Sequence, residues 1–286
     1  MVGDVAPGTP LLRFEHVQYA YGDVPALLDV SLEITAGERV AVIGPNGSGK
    51  TTLAKLSNGL LRPHAGRVIV AGHDTSGRAP GELARIVGYV FQNPDHQLFQ
   101  PTVEQEIAFG PRTLGLSPSA VAKRVEAMLA LFSLTPYRRQ HPTLLRRGLR
   151  QLIALAAVYA LDPAVLVLDE ALSALDVPQA MHVLGMLERD CHQGRSIVLI
   201  THDLQLAAWA ERVVLIEHGR ILADGPARVI LGDAALLERA GLDPLPATTL
   251  ADRLLHRRGV LSPHELIALL SQARVATKTD DANGPR

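Results

Sequence analysis

Cysteine, net charge and long apolar segments are all scarce in this chain of 286 residues. Cys191 is the single cysteine, so an internal disulfide is excluded and a reducing compartment is favoured. A formal net charge of −1 excludes the global basic field that recruits nucleic acid. The longest apolar segment, residues 152–161, is too short to cross a bilayer. Residues 1–10 lack the basic start and apolar stretch of a signal peptide. We therefore expect a soluble protein.

A complete phosphate-binding loop is present at residues 44–51, directly after the apolar run 40–43. Strand, glycine-rich turn and helix start is the context that this motif needs. Glycines let backbone N–H groups wrap a polyphosphate closely, and the positive end of the helix dipole faces the anion. Lys50 is placed to reach the β- and γ-phosphates, and the Thr51 hydroxyl to hold Mg²⁺. The alternative is a glycine-rich turn without a ligand. We expect a nucleoside triphosphate to be bound by Gly44, Pro45, Asn46, Gly47, Ser48, Gly49, Lys50, Thr51 and Thr52.

Strand and helix patterns alternate along the chain, which predicts an α/β fold around a mostly parallel sheet. Between residues 93 and 161 the pattern becomes helical, and Ser117 and Pro118 open one helix as N-cap and first-turn proline. This segment is interpreted as a helical subdomain inserted between two strands. Strands are predicted at residues 28–34 (exposed on one face), 40–43, 86–91, 165–168, 197–200 and 213–216.

A separate piece of small helices follows the core. One helix is predicted at residues 233–240, another from Thr249 to before Gly259, and a third behind a capping box at residues 262–265. The predicted organisation is a flexible N-terminus (1–10), a domain with the phosphate-binding loop (11–228) and its helical subdomain at about 93–161, a C-terminal helical extension (229–275) and a disordered tail (276–286).

Two adjacent carboxylates end the apolar run 165–168, at the strand end where α/β sheets hold their ligands. Successive side chains point in different directions, so the two acids are expected to differ in role. Asp169 would hold Mg²⁺, through water, and Glu170 would be the general base for an attacking water. The alternative is a strand end with two solvated acids.

Three further residues follow or flank predicted strands. Gln92 could contact Mg²⁺ or the attacking water, His202 could bond the γ-phosphate, and Tyr21 could stack on the base. Each has an ordinary alternative: a turn glutamine, a capping histidine and a packed tyrosine. Their joint occurrence in this order favours the nucleotide site.

In this order the motifs resemble those of the ATP-binding-cassette (ABC) ATPases, from about residue 12 to residue 225. The resemblance implies a P-loop NTPase core with an antiparallel β edge, ATP as the nucleotide and Mg²⁺ as the metal. It places Tyr21 at the adenine-stacking position, residues 44–51 in Walker A, Gln92 in the Q-loop, residues 165–170 in Walker B, residues 173–176 in the D-loop and His202 at the switch histidine. The implied catalytic residues are Glu170, His202, Gln92 and Lys50; the implied metal-binding residues are Thr51, Gln92 and Asp169.

Within that family the chain looks most like the ATPase subunits of energy-coupling factor (ECF) importers. The stretches that carry this match are residues 91–99, 102–104, 108–111 and 236–242. The match implies ATP-driven uptake of a vitamin or transition-metal ion, from a peripheral position on the cytoplasmic face of the membrane. The implied partners are a membrane scaffold (T) subunit and a membrane-embedded substrate-binding subunit, without nucleic acid. Alternatives are another class of ABC transporter and a soluble nucleic-acid-associated ABC ATPase.

The signature motif of the family is Leu-Ser-Gly-Gly-Gln, and residues 145–149 occupy its position here. Arg146 replaces the serine, Arg147 replaces the first glycine, and Leu149 replaces the glutamine. In the family this segment reaches the γ-phosphate held by the other subunit of a dimer. A degraded signature is the favoured interpretation. The arginines could instead act as arginine fingers or form a solvated basic helix start. Because a homodimer would then carry two damaged sites, we expect a heterodimer with a second ABC ATPase chain.

Overall fold

The computed structural model describes residue 6 and residues 8–271. Predictions for the tail at 276–286 and for most of residues 1–10 lie outside the described residues. Pro10 already begins a strand. The strands, in chain order, are β1 (Pro10–Tyr21), β2 (Val24–Thr35), β3 (Arg39–Ile43), β4 (Ala65–Val70), β5 (His73–Asp74), β6 (Val87–Val90), β7 (Val165–Asp169), β8 (Ser196–Ile200), β9 (Arg212–Glu217) and β10 (Arg220–Pro226).

The helices connect these strands or follow them. They are α1 (Lys50–Ser57), α2 (Pro80–Leu83), α3 (Val103–Thr113), α4 (Pro118–Leu131), α5 (Arg147–Tyr159), α6 (Val177–Cys191), α7 (Leu204–Ala207), α8 (Ala227–Ile230), α9 (Ala234–Arg239) and α10 (Pro246–Leu255). Residues 263–271 are also helical. None of the helices in the described part of the chain has both the length and the apolarity of a membrane span.

Two sheets build the core, which confirms the predicted α/β fold with an antiparallel β edge. A six-stranded sheet has the order β10-β9-β3-β8-β7-β6, parallel throughout except for the antiparallel strand β10. Its central strands β7 and β8 are buried along their whole length, as expected when helices cover both faces. An antiparallel sheet of order β2-β1-β4-β5 lies beside it, and β2 alternates buried and exposed residues as predicted.

The inserted helices α3, α4 and α5 lie between β6 and β7, where the sequence predicts a helical subdomain. Ser117 caps α4 by accepting from the Ala120 N–H at 3.3 Å, and Pro118 is the first helical residue. Buried residues of these helices share one apolar cluster with β6, β7 and β8. The helical subdomain is therefore packed directly on the sheet edge that carries Asp169.

The first part of the C-terminal extension continues the core, whereas Ala247 and Ala251 of α10 pack with Val260 and Leu266 in a small cluster of their own. Leu237, Leu242 and Leu245 pack in one apolar cluster with Ala41 and Ile43 of β3. The strand that leads into the phosphate-binding loop is thus buried against the C-terminal extension.

Two local predictions in the C-terminal extension were wrong. The helix predicted from Thr249 begins at Pro246, because proline already has the φ of a first helical turn. Of the predicted capping box only one half forms: the Ser262 hydroxyl accepts from the Glu265 N–H at 3.2 Å. The Glu265 carboxylate is instead paired with Arg228 and accepts from the Leu261 N–H, so it is not available to cap Ser262.

Candidate active site

Two positions of the phosphate-binding loop, Gly44 and Gly49, require glycine. A Cβ on Gly44 would lie 2.1 Å from the Ile216 carbonyl oxygen, and one on Gly49 would lie 2.5 Å from the Ala26 carbonyl oxygen. Both glycines also have positive φ, 151° and 108°. Inside the loop, the buried Ser48 hydroxyl finds no hydrogen-bond partner among the described residues. A tight cradle with an unsatisfied polar group fits an anionic ligand.

Lys50 opens α1 and folds back over this loop. Its Nζ donates to the carbonyl oxygens of Gly44 and Pro45, both at 2.8 Å. Burial lowers the pKa of Lys50, whereas the charges of Glu170 and Asp169 oppose that shift. The lysine therefore places its amino group at the mouth of the loop, on carbonyl groups that a phosphate can replace.

Thr51 and Asp169 come from distant elements and meet at the carboxyl end of the sheet. The Thr51 hydroxyl donates to Asp169 Oδ1 at 3.2 Å, and Asp169 is 1% exposed. Burial raises the pKa of Asp169, while hydrogen bonds from Tyr89 and Thr51 oppose that shift. No cluster of three His, Cys, Asp or Glu side chains that could hold a metal occurs in the described part of the chain. One hydroxyl and one carboxylate fit Mg²⁺, which completes its shell with phosphate oxygens and water.

Glu170 follows β7 with a left-handed backbone, at a φ of 51°, and its carboxylate has other partners than that of Asp169. Its Oε1 accepts from the His202 backbone N–H at 2.9 Å and from His202 Nδ1 at 2.7 Å. An ionised carboxylate only accepts, so the proton of this pair lies on Nδ1. The His202 side chain is 62% exposed, leaving Nε2 directed outward. Glu170 Oε2 is buried and has no partner within the described structure, so it is the carboxylate oxygen that His202 does not engage.

The remaining predicted residues surround this arrangement. Tyr21 is 48% exposed, and its hydroxyl lies 3.4 Å from Thr52 Oγ1 at the start of α1. An exposed ring beside the loop is free to stack on a base. Gln92 is exposed and lies two residues beyond the end of β6. Hydrogen bonds thus join the ends of β1 and β7 to α1, and join Glu170, directly after β7, to His202 beyond the end of β8, while Gln92 lies at the carboxyl end of the edge strand β6.

The altered signature segment lies at the start of α5, as predicted. Arg146 is the N-cap residue, has no side-chain capping bond within the described structure, and is exposed together with Arg147. Leu149 is 7% exposed and packs in the apolar cluster of the helical subdomain. Arg150 pairs with Asp95 at 3.0 Å. Arg146 and Arg147 are therefore the exposed side chains of this segment.

Sequence reasoning missed two groups of residues at the site. Gln97 Oε1 accepts from the Phe91 N–H at 3.2 Å, and Gln151 Nε2 donates to the Phe91 carbonyl oxygen at 3.1 Å. These two glutamines bond the backbone N–H and carbonyl groups of Phe91, the residue that precedes Gln92. Gln151 lies on α5. Tyr89, the second omission, donates to Asp169. The sequence did contain a signal for this role of Tyr89, because Tyr89 is the one hydroxyl-bearing residue in the run 86–91 that predicted β6.

Comparison with known proteins agrees with this site. A family model described as ABC transporter matches residues 27–173. The chain is 40% identical over 257 residues to the energy-coupling factor transporter ATP-binding protein EcfA of Methanosarcina acetivorans, covering 89% of this chain and 93% of that protein. It is 42% identical over 241 residues to the cobalt import ATP-binding protein CbiO of Rhodobacter capsulatus, covering 82% of this chain and 86% of that protein.

A solved structure extends the comparison to the fold. It is cbiO1 from Clostridium perfringens, described as part of the ABC transporter complex cbiONQ. Its TM-score with this chain is 0.70 at 27% identity, covering 87% of this chain and 97% of that one. The phosphate-binding loop, the paired carboxylates and these similarities lead to one conclusion: the chain belongs to the ABC transporter family and is an ATP-binding, ATP-hydrolysing cassette.

Proposed function

We propose that this chain is the ATP-hydrolysing subunit of an ECF-type importer that takes up a vitamin or a transition-metal ion, working on the cytoplasmic face of the membrane. The observation that carries the hydrolytic role is the divergence of Asp169 and Glu170, one towards Thr51 and the other towards His202. The transport role is supported by relatives named for energy-coupling factor and cobalt import.

Hydrolysis follows from the geometry of this chain's own residues. Lys50 and the loop backbone hold the phosphates, with Tyr21 under the adenine. Thr51, Asp169 and Gln92 would hold Mg²⁺, which neutralises charge on the phosphate oxygens when bound. Glu170 takes a proton from water at Oε2 as the water oxygen bonds to the γ-phosphorus and the bond to the leaving ADP oxygen breaks. His202 donates from Nδ1 to Glu170, so it donates from Nε2 to the γ-phosphate only as the imidazolium.

A second ABC ATPase chain completes the catalytic sites. Catalytic sites in this family lie between two subunits, and this chain holds one cassette. Arg146 and Arg147 stand exposed at the helix start that would face the partner's nucleotide. A heterodimer whose partner has an intact signature retains one complete site, that of Lys50, Asp169 and Glu170.

The double change Arg146→Ser with Arg147→Gly tests the signature directly. Neither side chain is buried, and serine is a good N-cap, so α5 should remain stable. If the motif is degraded, the change should raise hydrolysis at the partner's site by about tenfold or more, since each restored donor is worth roughly 10²–10³ in rate. The measurement is phosphate release in a heterodimer that also carries Lys50→Ala, which silences this chain's own site. Unchanged or lower release would instead identify the arginines as fingers.

The surface for the membrane scaffold subunit is proposed around Phe99. The segment 93–99 follows Gln92 and carries two neighbouring apolar side chains, Leu98 and Phe99, which could either dock a scaffold helix or be buried in the core. Leu98 packs against the apolar cluster of the helical subdomain, whereas Phe99 is 62% exposed. The Phe99 ring meets that of Phe109 edge to face at 4.8 Å, and Phe109 is 43% exposed. An exposed aromatic pair beside the Q-loop suits an apolar helix.

The double change Phe99→Ala with Phe109→Ala is expected to release the scaffold from the complex while leaving the ATPase dimer folded. The matched control is Leu98→Ala, which should instead lower the melting temperature, because Leu98 is packed in the core. Co-purification from detergent-solubilised membranes and thermal unfolding measure the two effects. Retention of the scaffold by the double variant would refute this docking surface.

Purification of the tagged chain from native membranes tests the proposed function. The expected companions are a second ABC ATPase chain, a polytopic scaffold subunit and a small membrane-embedded substrate subunit. A pair of fused membrane domains without a separate substrate subunit would indicate another ABC transporter class. Recovery with ribosomes or repair proteins would favour the nucleic-acid-associated alternative.

A further inference from the structure

We propose that Tyr89 is a positioning residue for the metal site: its hydroxyl orients the Asp169 carboxylate so that one oxygen remains directed at Mg²⁺. This inference rests on the metal-binding role proposed for Asp169. Tyr89 is not among the residues that the sequence motifs mark, and the role proposed for it acts through Asp169.

The two oxygens of Asp169 have different partners. Tyr89 OH donates to Oδ2 at 2.8 Å, whereas Thr51 donates to Oδ1 at 3.2 Å. Tyr89 is 5% exposed and Asp169 is 1% exposed, so bulk water does not satisfy these atoms. Each oxygen therefore depends on one protein hydroxyl, and the two hydroxyls approach the carboxylate from different elements, β6 and α1.

Strand register explains why a tyrosine at this position reaches Asp169. Tyr89 pairs with Val167 in the parallel β6–β7 ladder. Asp169 lies two residues beyond Val167 on the same face, about 6.6 Å further at the rise of a parallel strand. The length of a tyrosyl side chain spans this offset. The ring is held in place by Phe91, whose ring lies 4.6 Å away in an edge-to-face arrangement.

The two oxygens of the Asp169 carboxylate therefore have different roles. Thr51 is itself an expected Mg²⁺ ligand, so Oδ1 faces the metal position together with the Thr51 hydroxyl. Tyr89 holds Oδ2 on the protein side and prevents rotation of the carboxylate. Loss of the hydroxyl leaves a buried Oδ2 without its donor, and the carboxylate turns towards any other donor that it can reach. Partners that orient a metal ligand in this way contribute about 10–100-fold to metal affinity.

The experiment compares ATP binding by the full-length wild-type chain and by Tyr89→Phe, in Mg²⁺ and in EDTA, by calorimetry. Mn²⁺ paramagnetic resonance on the ATP-bound chain gives the metal affinity separately. Tyr89→Phe removes one oxygen atom and keeps the packing on Phe91. We expect unchanged ATP affinity in EDTA and a metal affinity that falls about 10–100-fold.

Tyr159→Phe is the matched control. Tyr159 is also a buried tyrosine, 8% exposed, whose hydroxyl donates to an aspartate, Asp190, but it lies on α5. Both variants are expected to lose some thermal stability, whereas only Tyr89→Phe should lose metal affinity. Equal metal affinity in Tyr89→Phe and wild type would overturn the inference and leave Tyr89 a packing residue. Absence of any Mg²⁺ effect in the wild-type chain would instead overturn the proposed metal site itself.

Discussion

Glu170→Gln is expected to lower steady-state phosphate release from the assembled complex by about 10²- to 10⁴-fold, the usual contribution of a general base. ATP should remain bound, because glutamine keeps the shape of glutamate. Its amide oxygen can still accept from the His202 backbone N–H and from Nδ1, which lie 2.9 and 2.7 Å from Glu170 Oε1. The lost function is the proton acceptor at Oε2, the buried oxygen without a partner in the described structure. Phosphate release and retention of radiolabelled ATP measure the two effects.

Glu188→Gln provides the control for a change of charge alone. Glu188 is a half-exposed glutamate on α6 that pairs with Arg39, and its substitution should leave turnover unchanged. Near-normal turnover in Glu170→Gln would remove Glu170 as the base. The same low turnover in both variants would indicate a general loss of stability instead.

Lys50→Ala is expected to nearly abolish transport, whereas the equivalent lysine change in the partner chain should be milder. Lys50 serves the site that faces the partner's signature, and its Nζ already lies at the loop carbonyls of Gly44 and Pro45. The partner's lysine serves the site that faces Arg146 and Arg147, where the signature serine and first glycine are missing. Uptake into proteoliposomes containing each single variant measures the difference. An equally severe loss from both would show that the two sites contribute alike.

Local sequence signals predicted most of the fold. The glycine-rich turn after residues 40–43 could be recognised because every residue involved is adjacent in the chain. The same holds for the cap at Ser117, whose side chain accepts from the Ala120 N–H three residues further on. Five of the six predicted strands were found for the related reason that a buried parallel strand is a continuous apolar run, whereas residues 28–34 were found by the alternation of an antiparallel strand that is exposed on one face.

Contacts between residues that are far apart in the sequence could not be predicted from such local signals. Tyr89 and Asp169 are 80 residues apart, and only the strand register brings them together. Glu265 is diverted from its predicted capping role by Arg228, which is 37 residues earlier. Leu98 and Phe99 could not be separated from the sequence, because which of two neighbouring apolar residues is buried depends on how the helical subdomain packs.

Steady-state phosphate release from the reconstituted heterodimer, with Lys50→Ala in this chain or the equivalent lysine change in its partner, shows which of the two sites turns over. If this chain's own phosphate-binding loop, Asp169 and Glu170 form that site, Lys50→Ala removes nearly all phosphate release and the partner's variant retains most of it. Equal residual activity in the two variants, or greater activity in the complex that carries Lys50→Ala, would contradict this assignment.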